Sequence, residues 1–190
     1  MVLNQAGIED VKFTAVNPRT DREWFTKINP KGQVPTLIVN DSEMLTEGLP
    51  IAYYIMSLAP EKFKPFPLEE GLQKYQAMGL LNFISSEMQK CIAPFYKPYY
   101  SEETREGVRQ NDVRKNFGVL NDMLADKKFL WEDEYTVIDG YAYVISTWLK
   151  KMNVKVEVTE FPNIVEWMKR VEAVPVVQKT LQQEGIEPHF

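Results

Sequence analysis

Two short motifs carry groups that could hold a small peptide ligand: Gln33-Val34-Pro35, and Glu47-Gly48 at the predicted start of a helix. A cis Val34–Pro35 bond, a form taken by about 5–6% of X–Pro bonds, would turn the Val34 N–H and C=O outward to pair with an extended peptide. The Gly48 N–H and the helix dipole suit a carboxylate. Glu47 suits an ammonium group, and the Gln33 side chain can hydrogen-bond a peptide backbone.

Glu47 also has a purely structural interpretation. A Glu in the first turn of a helix complements the helix dipole, and taken alone Glu47 would more often have that role. Its combination with Gln33-Val34-Pro35 favours ligand binding.

Composition excludes several other kinds of site. The chain has one His, His189, and one Cys, Cys91, so neither a zinc site nor a Ser-His-Asp triad nor a disulfide framework is expected, and no metal is predicted. A net charge of −5 argues against a nucleic-acid or anionic-membrane partner. Without a signal peptide or an apolar run of roughly 18 residues, we expect a cytoplasmic protein.

A β-hairpin and a helix must position the two motifs. Thr36–Val39 is predicted to be a strand, Asn40-Asp41-Ser42 a turn and Glu43–Leu45 the return strand. The helix then opens at Thr46-Glu47-Gly48, with Pro50 in its first turn, where a missing N–H matters little.

The segment before the hairpin predicts three further elements. Val2–Gly7 has the pattern of a helix end with Gly7 as its stop. Val11–Val16 alternates and predicts a strand. Asp21–Ile28 predicts a short helix that Asn29-Pro30 terminates.

The proline-rich stretch 60–67 predicts a linker between domains 1–59 and 68–190. Every strong segment after it is helical. The first of these helices is Leu68–Cys91. Its residues at helical spacing, expected on one face, are Leu72, Tyr75, Met78-Gly79, Asn82-Phe83 and Ser86.

The second domain contains a capping-box pattern. Thr136 and Asp139 have the spacing at which a Thr side chain and a carboxylate satisfy each other's backbone N–H groups, and we assign both to folding. The helix that follows, Gly140–Met152, is apolar almost all round and is predicted to be the centre of the domain.

Three segments together resemble a known family. NPKGQVPTL, followed by LTEG and an amphipathic helix, looks like the ligand-binding half of a glutathione S-transferase, with the bacterial beta class as the nearest likeness. YTVIDGY is similar to the capping-box segment of that family, and FPNIVEWMKRVEAVPVVQKTLQQEG to its last helices. The resemblance spans essentially the whole chain.

The resemblance implies an α/β plus all-α protein with a thioredoxin-like N-terminal domain, incomplete because its first strand is absent, and a helical-bundle C-terminal domain. It implies a homodimer, a cis Val34–Pro35 bond and glutathione as the ligand. The glutathione-binding residues would be the members of the two motifs, Gln33, Val34, Pro35, Glu47 and Gly48. Where the family has Ser or Gly, this chain has Gly48, so only a backbone contact is expected there.

The chain departs from the family where the chemistry is expected. The resembled proteins have a strand and a turn with a catalytic Cys, Ser or Tyr before the equivalent of Leu3, a segment of about 15 residues. The thiol of glutathione must become a thiolate to act as a nucleophile, and this segment supplies the group that stabilises it. Three explanations stay open: a misassigned gene start, a segment supplied by another chain, or a sheet that pairs differently.

Three residues of the helical half are candidates for a role in chemistry. Gln89 stands where beta-class proteins have a His that lines the active site, and Tyr96 could line a pocket for an apolar co-substrate. Packing of helix ends is an equally good interpretation of Tyr96. Cys91 could form a mixed disulfide with glutathione, although a free Cys is more often a core residue.

We therefore expect a glutathione S-transferase-like protein that binds glutathione through its N-terminal domain and, if active, conjugates it to a small electrophile. The alternative is a non-catalytic glutathione-binding or protein-interaction module on the same fold.

Overall fold

The computed structural model describes residues 1–40, 42–63, 71–131 and 133–190. The chain divides into two compact units, Val2–Phe63 and Lys64–Phe190, with Met1 grouped with the second. Within the described part of the chain, no helix is long and apolar enough to cross a bilayer.

The first unit contains a β-hairpin and short helices. Its elements are α1 (Val2–Ala6), α2 (Arg22–Ile28), β1 (Thr36–Val39), β2 (Glu43–Thr46), α3 (Gly48–Leu58) and a 3-10 turn (Pro60–Phe63). α1 ends as predicted at Gly7, whose φ of 69° suits glycine. α3 ends before Pro60, also as predicted.

The hairpin has the predicted antiparallel pairing. Thr36 lies opposite Thr46 and Val39 opposite Glu43. At its tip Asn40 has a φ of 50°, a conformation that Asn tolerates better than most residues, and the Ser42 N–H donates to the Val39 carbonyl over 3.2 Å. Asp41, the middle residue of the predicted turn, lies outside the described residues.

The prediction of a strand at Val11–Val16 is wrong. Among the described residues the sheet contains only β1 and β2, and the segment 8–17 forms no ladder. Phe13, which the alternating pattern would place on the buried face, is 81% exposed. A strand exists only when a neighbouring strand satisfies its backbone groups, so the alternation had no sheet to join.

The proposed linker 60–67 is only partly described. Pro60–Phe63 is a 3-10 turn with Phe63 buried in the first unit, whereas residues 64–67 lie outside the described part of the chain. The boundaries 1–59 and 68–190 remain predictions.

The second unit is helical in its described part. Its elements are α4 (Leu72–Phe83), a π turn (Ile84–Met88), α5 (Gln89–Tyr96), α6 (Glu102–Val108), a second π turn (Arg109–Val113), α7 (Arg114–Met123), α8 (Val137–Lys151), a 3-10 turn (Val158–Glu160), α9 (Pro162–Glu172) and α10 (Pro175–Glu184). The α/β plus all-α fold class is confirmed.

The predicted apolar face of the first helix in this unit is wrong. The buried side chains are Ala77 and Leu81 of α4, followed by Ile84 and Met88 of the π turn. The stripe expected to be buried is exposed: Leu72 at 72%, Tyr75 at 66% and Met78 at 41%. Both stripes recur at helical spacing, and only the packing partners decide which one is covered. Leu68, the predicted first residue, lies outside the described residues.

A buried carboxylate fixes the start of α8. Asp139 accepts hydrogen bonds from the Leu130 N–H at 2.8 Å and the Trp167 indole N–H at 2.9 Å through Oδ1. Its Oδ2 accepts from the N–H and the hydroxyl of Thr136, both at 3.0 Å, which confirms the capping box. Burial raises the pKa of the Asp139 carboxyl above its usual value, and these four hydrogen bonds oppose that rise.

Two further buried charges join distant parts of the second unit. Arg109 donates to the Val154 carbonyl at 2.7 Å and forms ion pairs with Glu102 and Glu106. Glu172 accepts from the Tyr143 hydroxyl at 2.7 Å and from the backbone N–H groups of the chain end at 189 and 190.

We expect Asp139→Ala to lower the free energy of unfolding by about 3–5 kcal/mol, because several buried donors lose their acceptor and each costs about 1–3 kcal/mol. Thr136→Ala should cost about 0.5–2 kcal/mol. Ser101→Ala, which removes the exposed N-cap of α6, is the matched control. Urea unfolding followed by tryptophan fluorescence suits this test, since Trp131, Trp148 and Trp167 all lie in the second unit. Equal losses for Asp139→Ala and Ser101→Ala would contradict the prediction.

Candidate functional site

A buried asparagine organises the loop that leads into β1. The Asn29 side-chain amide donates to the Gln33 carbonyl at 2.8 Å and to the Thr36 hydroxyl at 2.9 Å, and its carbonyl oxygen accepts from the Lys31 N–H at 3.1 Å. The Gly32 N–H donates to the Asn29 carbonyl at 2.8 Å, and Gly32 has a φ of 61° that favours glycine. Asn29 therefore fixes the path of the chain up to the first motif.

The hairpin brings the two sequence motifs together. Because Thr36 pairs with Thr46, the residues just before β1 and just after β2 are neighbours at one end of the hairpin. A side-chain carbon built on Gly48 would lie 4.0 Å from Cγ of Pro35. The Val34–Pro35 bond is cis, as the resemblance predicted.

All five residues predicted to bind glutathione are exposed: Gln33, Val34, Pro35, Glu47 and Gly48. In the described part of the chain, the N–H and C=O of Val34 have no hydrogen-bond partner. The backbone carbonyl of Gln33 already accepts a hydrogen bond from Asn29. The Gln33 side chain has no hydrogen-bond partner among the described residues. The structure thus assembles exposed polar groups on one surface of the first unit.

The start of α3 adds backbone donors to this surface. The first N–H groups of a helix have no partner within the helix, which applies to Gly48 and Leu49. Pro50 has no N–H, and the Ile51 N–H already donates to the Glu47 carbonyl at 3.2 Å. Two donors at the positive end of the helix dipole therefore remain available to an anion.

Glu47 is ion-paired. The Lys31 ammonium lies 2.6 Å from Glu47 Oε1 and 3.1 Å from the Thr46 hydroxyl. Both charged side chains are more than half exposed, at 52% and 59%. Glu47 has a φ of 69°, which is unfavourable for a residue with a side chain. Strained backbone of this kind concentrates at functional sites.

Gln89 and Tyr96, the predicted co-substrate residues, both contact α8. The Tyr141 hydroxyl donates to the Gln89 side chain. Tyr96 meets Trp148 edge-on with ring centroids 6.4 Å apart. Gln89 and Tyr96 lie two helical turns apart on α5, and Tyr141 and Trp148 lie two turns apart on α8. The two contacts therefore form successive layers between α5 and α8. Packing accounts for the placement of both side chains, and their role towards a ligand stays a prediction.

One surface depression in the second unit, of about 500 Å³, lies elsewhere. It is lined by Lys127, Trp131, Asp133 and Glu134 and contains none of the predicted site residues. Among the described residues no group of three or more His, Cys, Asp or Glu side chains is arranged to hold a metal ion.

Sequence reasoning missed Asn29 and Lys31 as parts of this surface. The sequence shows Asn29 only as the residue that ends α2, because its side-chain hydrogen bonds leave no pattern in the sequence. Lys31 could have been found, because a hairpin that places position 36 opposite position 46 brings the loop before β1 within reach of Glu47.

Known families match both units. The glutathione S-transferase N-terminal domain matches residues 1–63, and the glutathione S-transferase C-terminal domain matches residues 87–184. The first match has the same end as the compact unit Val2–Phe63.

Individual relatives agree with these matches. Glutathione S-transferase GstA of Escherichia coli O157:H7 is 30% identical over 163 residues, which cover 86% of this chain and 79% of that protein. A beta-class glutathione S-transferase of Sphingomonas chungbukensis is 28% identical, with a TM-score of 0.86 and coverage of 98% and 92% of the two chains. A sphingomonad glutathione S-transferase complexed with glutathione is 26% identical, with the same TM-score and coverage. The chain therefore belongs to the glutathione S-transferase family and is similar to its bacterial beta class.

Proposed function

We propose that the first unit binds glutathione at the end of the hairpin where Pro35 meets Glu47 and Gly48. The observation that carries this proposal is the register of β1 and β2, which places a cis-proline motif beside the start of α3. The binding residues are the exposed members of the two motifs, Gln33, Val34, Pro35, Glu47 and Gly48.

Each group has a partner in the γ-glutamyl or the cysteinyl residue of glutathione. The N–H and C=O of Val34 pair with the backbone of the cysteinyl residue, as an added strand would. The N–H groups at Gly48 and Leu49 receive the α-carboxylate. Glu47 receives the α-ammonium, and the Gln33 amide reaches the glutamyl or cysteinyl backbone. The sphingomonad relative supports this ligand, since its structure holds glutathione.

Catalysis is a separate part of the proposal. If the protein is active, it conjugates glutathione to a small electrophile that Tyr96 and Gln89 help to bind. Attack on the electrophile needs the glutathione thiolate, so a group close to the sulfur must stabilise that charge. The competing function is that of a non-catalytic module that binds glutathione or another protein.

Cys91 is poorly suited to react with glutathione. Burial raises the pKa of its thiol to about 11, and its Sγ donates to the Met88 carbonyl over 3.0 Å. A thiol of that pKa is almost wholly protonated at neutral pH, so its attack on an electrophile or a disulfide is slow. Cys91 is therefore not part of the proposed chemistry.

The exposed stripe on α4 supports a homodimer. Leu72, Tyr75 and Met78 repeat at intervals of three residues and form a continuous apolar strip. Exposed apolar strips of this kind mark protein interfaces, and the second copy of this chain is the partner that we propose.

The cytoplasm is the proposed location.

Glu47→Gln should weaken the binding of glutathione about tenfold or more, because an amide cannot replace the charge-assisted bond to the ammonium. Isothermal titration calorimetry measures the change. Glu43→Gln, an exposed position in β2 of the same hairpin, is the matched control and should bind like the wild type.

Absence of any heat with millimolar glutathione and wild-type protein would remove the proposed ligand. If binding is seen, the rate of conjugation to a chlorodinitrobenzene electrophile separates the two functions. A rate equal to the uncatalysed background leaves only the binding module.

Alkylation of Cys91 by iodoacetamide should be slow in the folded protein and should accelerate steadily as the pH rises towards about 11. The sign follows from the raised pKa, since only the thiolate reacts and its fraction grows about tenfold per pH unit below the pKa. The urea-unfolded chain is the control, and its rate should level off above about pH 9. A plateau below pH 9 in the folded protein would contradict the assignment.

Tyr75→Glu should dissociate the dimer, raising its dissociation constant about tenfold or more, because a charge would be buried in the interface without a partner. Light scattering after gel filtration reports the mass. Gln178→Glu adds the same charge to an exposed position of α10 and should leave the dimer intact. A wild-type protein that is monomeric at micromolar concentration would overturn the proposal.

A further inference from the structure

The Lys31–Glu47 ion pair has unused hydrogen-bonding capacity on both sides. An ammonium group has three donors, and Lys31 uses two of them on Glu47 Oε1 and the Thr46 hydroxyl. Glu47 Oε2 accepts no hydrogen bond from the described residues, and the third donor of Lys31 meets no acceptor there. A ligand can therefore bind both charges without breaking the pair.

The arrangement of these groups matches one kind of ligand. A free α-amino acid end carries an ammonium and a carboxylate on the same carbon atom. The surface presents a carboxylate from Glu47, an ammonium from Lys31 and two helix N–H groups beside them. The ligand ammonium can therefore lie against the Glu47 carboxylate while the ligand carboxylate lies against the Lys31 ammonium. Each of the four charges then has two neighbours of the opposite sign.

We propose that Lys31 is a further ligand-binding residue. It binds the α-carboxylate of the γ-glutamyl end, while Glu47 binds the α-ammonium. This inference rests on the proposed binding of glutathione and assigns Lys31 a role that depends on the ligand having both charges. The helix N–H groups share the carboxylate with Lys31. An amino acid end without its carboxylate would gain nothing from Lys31.

Two simpler roles for Lys31 predict different behaviour. If Lys31 only neutralises Glu47, it competes with the ligand ammonium, and its removal tightens binding. If Lys31 only holds Glu47 in its conformation with a φ of 69°, its removal weakens every ligand that uses Glu47. An exposed ion pair contributes little to folding, so loss of Lys31 should leave the fold intact.

The test compares three ligands by calorimetry on the whole chain: glutathione, glutaryl-cysteinylglycine, which lacks the α-ammonium, and 4-aminobutanoyl-cysteinylglycine, which lacks the α-carboxylate. Lys31→Met should weaken the first two ligands about tenfold and change the third less than about twofold. Lys31→Arg should restore most of the affinity, because a guanidinium also binds a carboxylate. Lys27→Met, an exposed lysine of α2, is the matched control.

Unchanged or tighter binding of glutathione by Lys31→Met would overturn the inference and leave the proposed function standing. A loss for glutathione and 4-aminobutanoyl-cysteinylglycine that spares glutaryl-cysteinylglycine would also overturn it, since Lys31 would then act only through Glu47. An equal loss for all three ligands would overturn it as well, because the effect of Lys31 would then not depend on the α-carboxylate. A wild-type protein that binds none of the three removes the proposed function together with the inference. Thermal unfolding midpoints within a few degrees of the wild type show that the variants are folded.

Discussion

The antiparallel pairing of Thr36 with Thr46 is the constraint on which the candidate site depends. It places the end of one loop and the start of α3 side by side, although the two motifs are separated by the whole hairpin. A slip of one residue would turn every side chain of one strand to the opposite face and would separate Pro35 from Gly48. The short turn at Asn40 sets this register at one end, and the bonds of Asn29 to Gln33 and Thr36 hold it at the other.

Features with a local cause could be predicted from the sequence. The capping box of Thr136 and Asp139, the hairpin with its short turn and the helix stop at Gly7 follow from interactions within a few residues. The cis Val34–Pro35 bond was predicted as well, but only through the resemblance. The five predicted binding residues could also be named from the sequence, because each of the two motifs is continuous in it.

Features that depend on distant partners could not be predicted. The alternation at Val11–Val16 satisfies the strand pattern, yet no strand of the described chain pairs with it. α4 and the π turn after it carry two apolar stripes, and nothing within the helix shows that Ala77 and Leu81 are buried while Leu72 and Tyr75 are exposed. Lys31 belongs to the same class, since its contact with Glu47 exists only after the hairpin has formed.

The hydrogen bonds of two buried charged groups in the second unit differ from those of an exposed ion pair in the first unit. Asp139 is buried and has four donors on its two oxygens, and Arg109 is buried with a carbonyl and two carboxylates around it. Such groups are saturated and join elements of the fold. Glu47 and Lys31 are exposed and keep one acceptor and one donor unused in the described structure. Unused capacity on a strained, exposed segment is what a ligand can complete.

In the proposed complex, the charged groups of the candidate site hold the γ-glutamyl end of glutathione, whereas a reaction would occur at the cysteinyl sulfur. The charges of the glutamyl end do not change as the sulfur attacks an electrophile, so in this complex Glu47, Gly48 and Lys31 would bind the ground state and the transition state equally. Uniform binding of this kind lowers KM without raising kcat. Acceleration requires a group whose interaction strengthens as charge develops on the sulfur, and the raised pKa of the buried Cys91 thiol makes Cys91 a poor candidate for that role. In the proposed complex, affinity for glutathione and activity towards an electrophile would therefore depend on different groups.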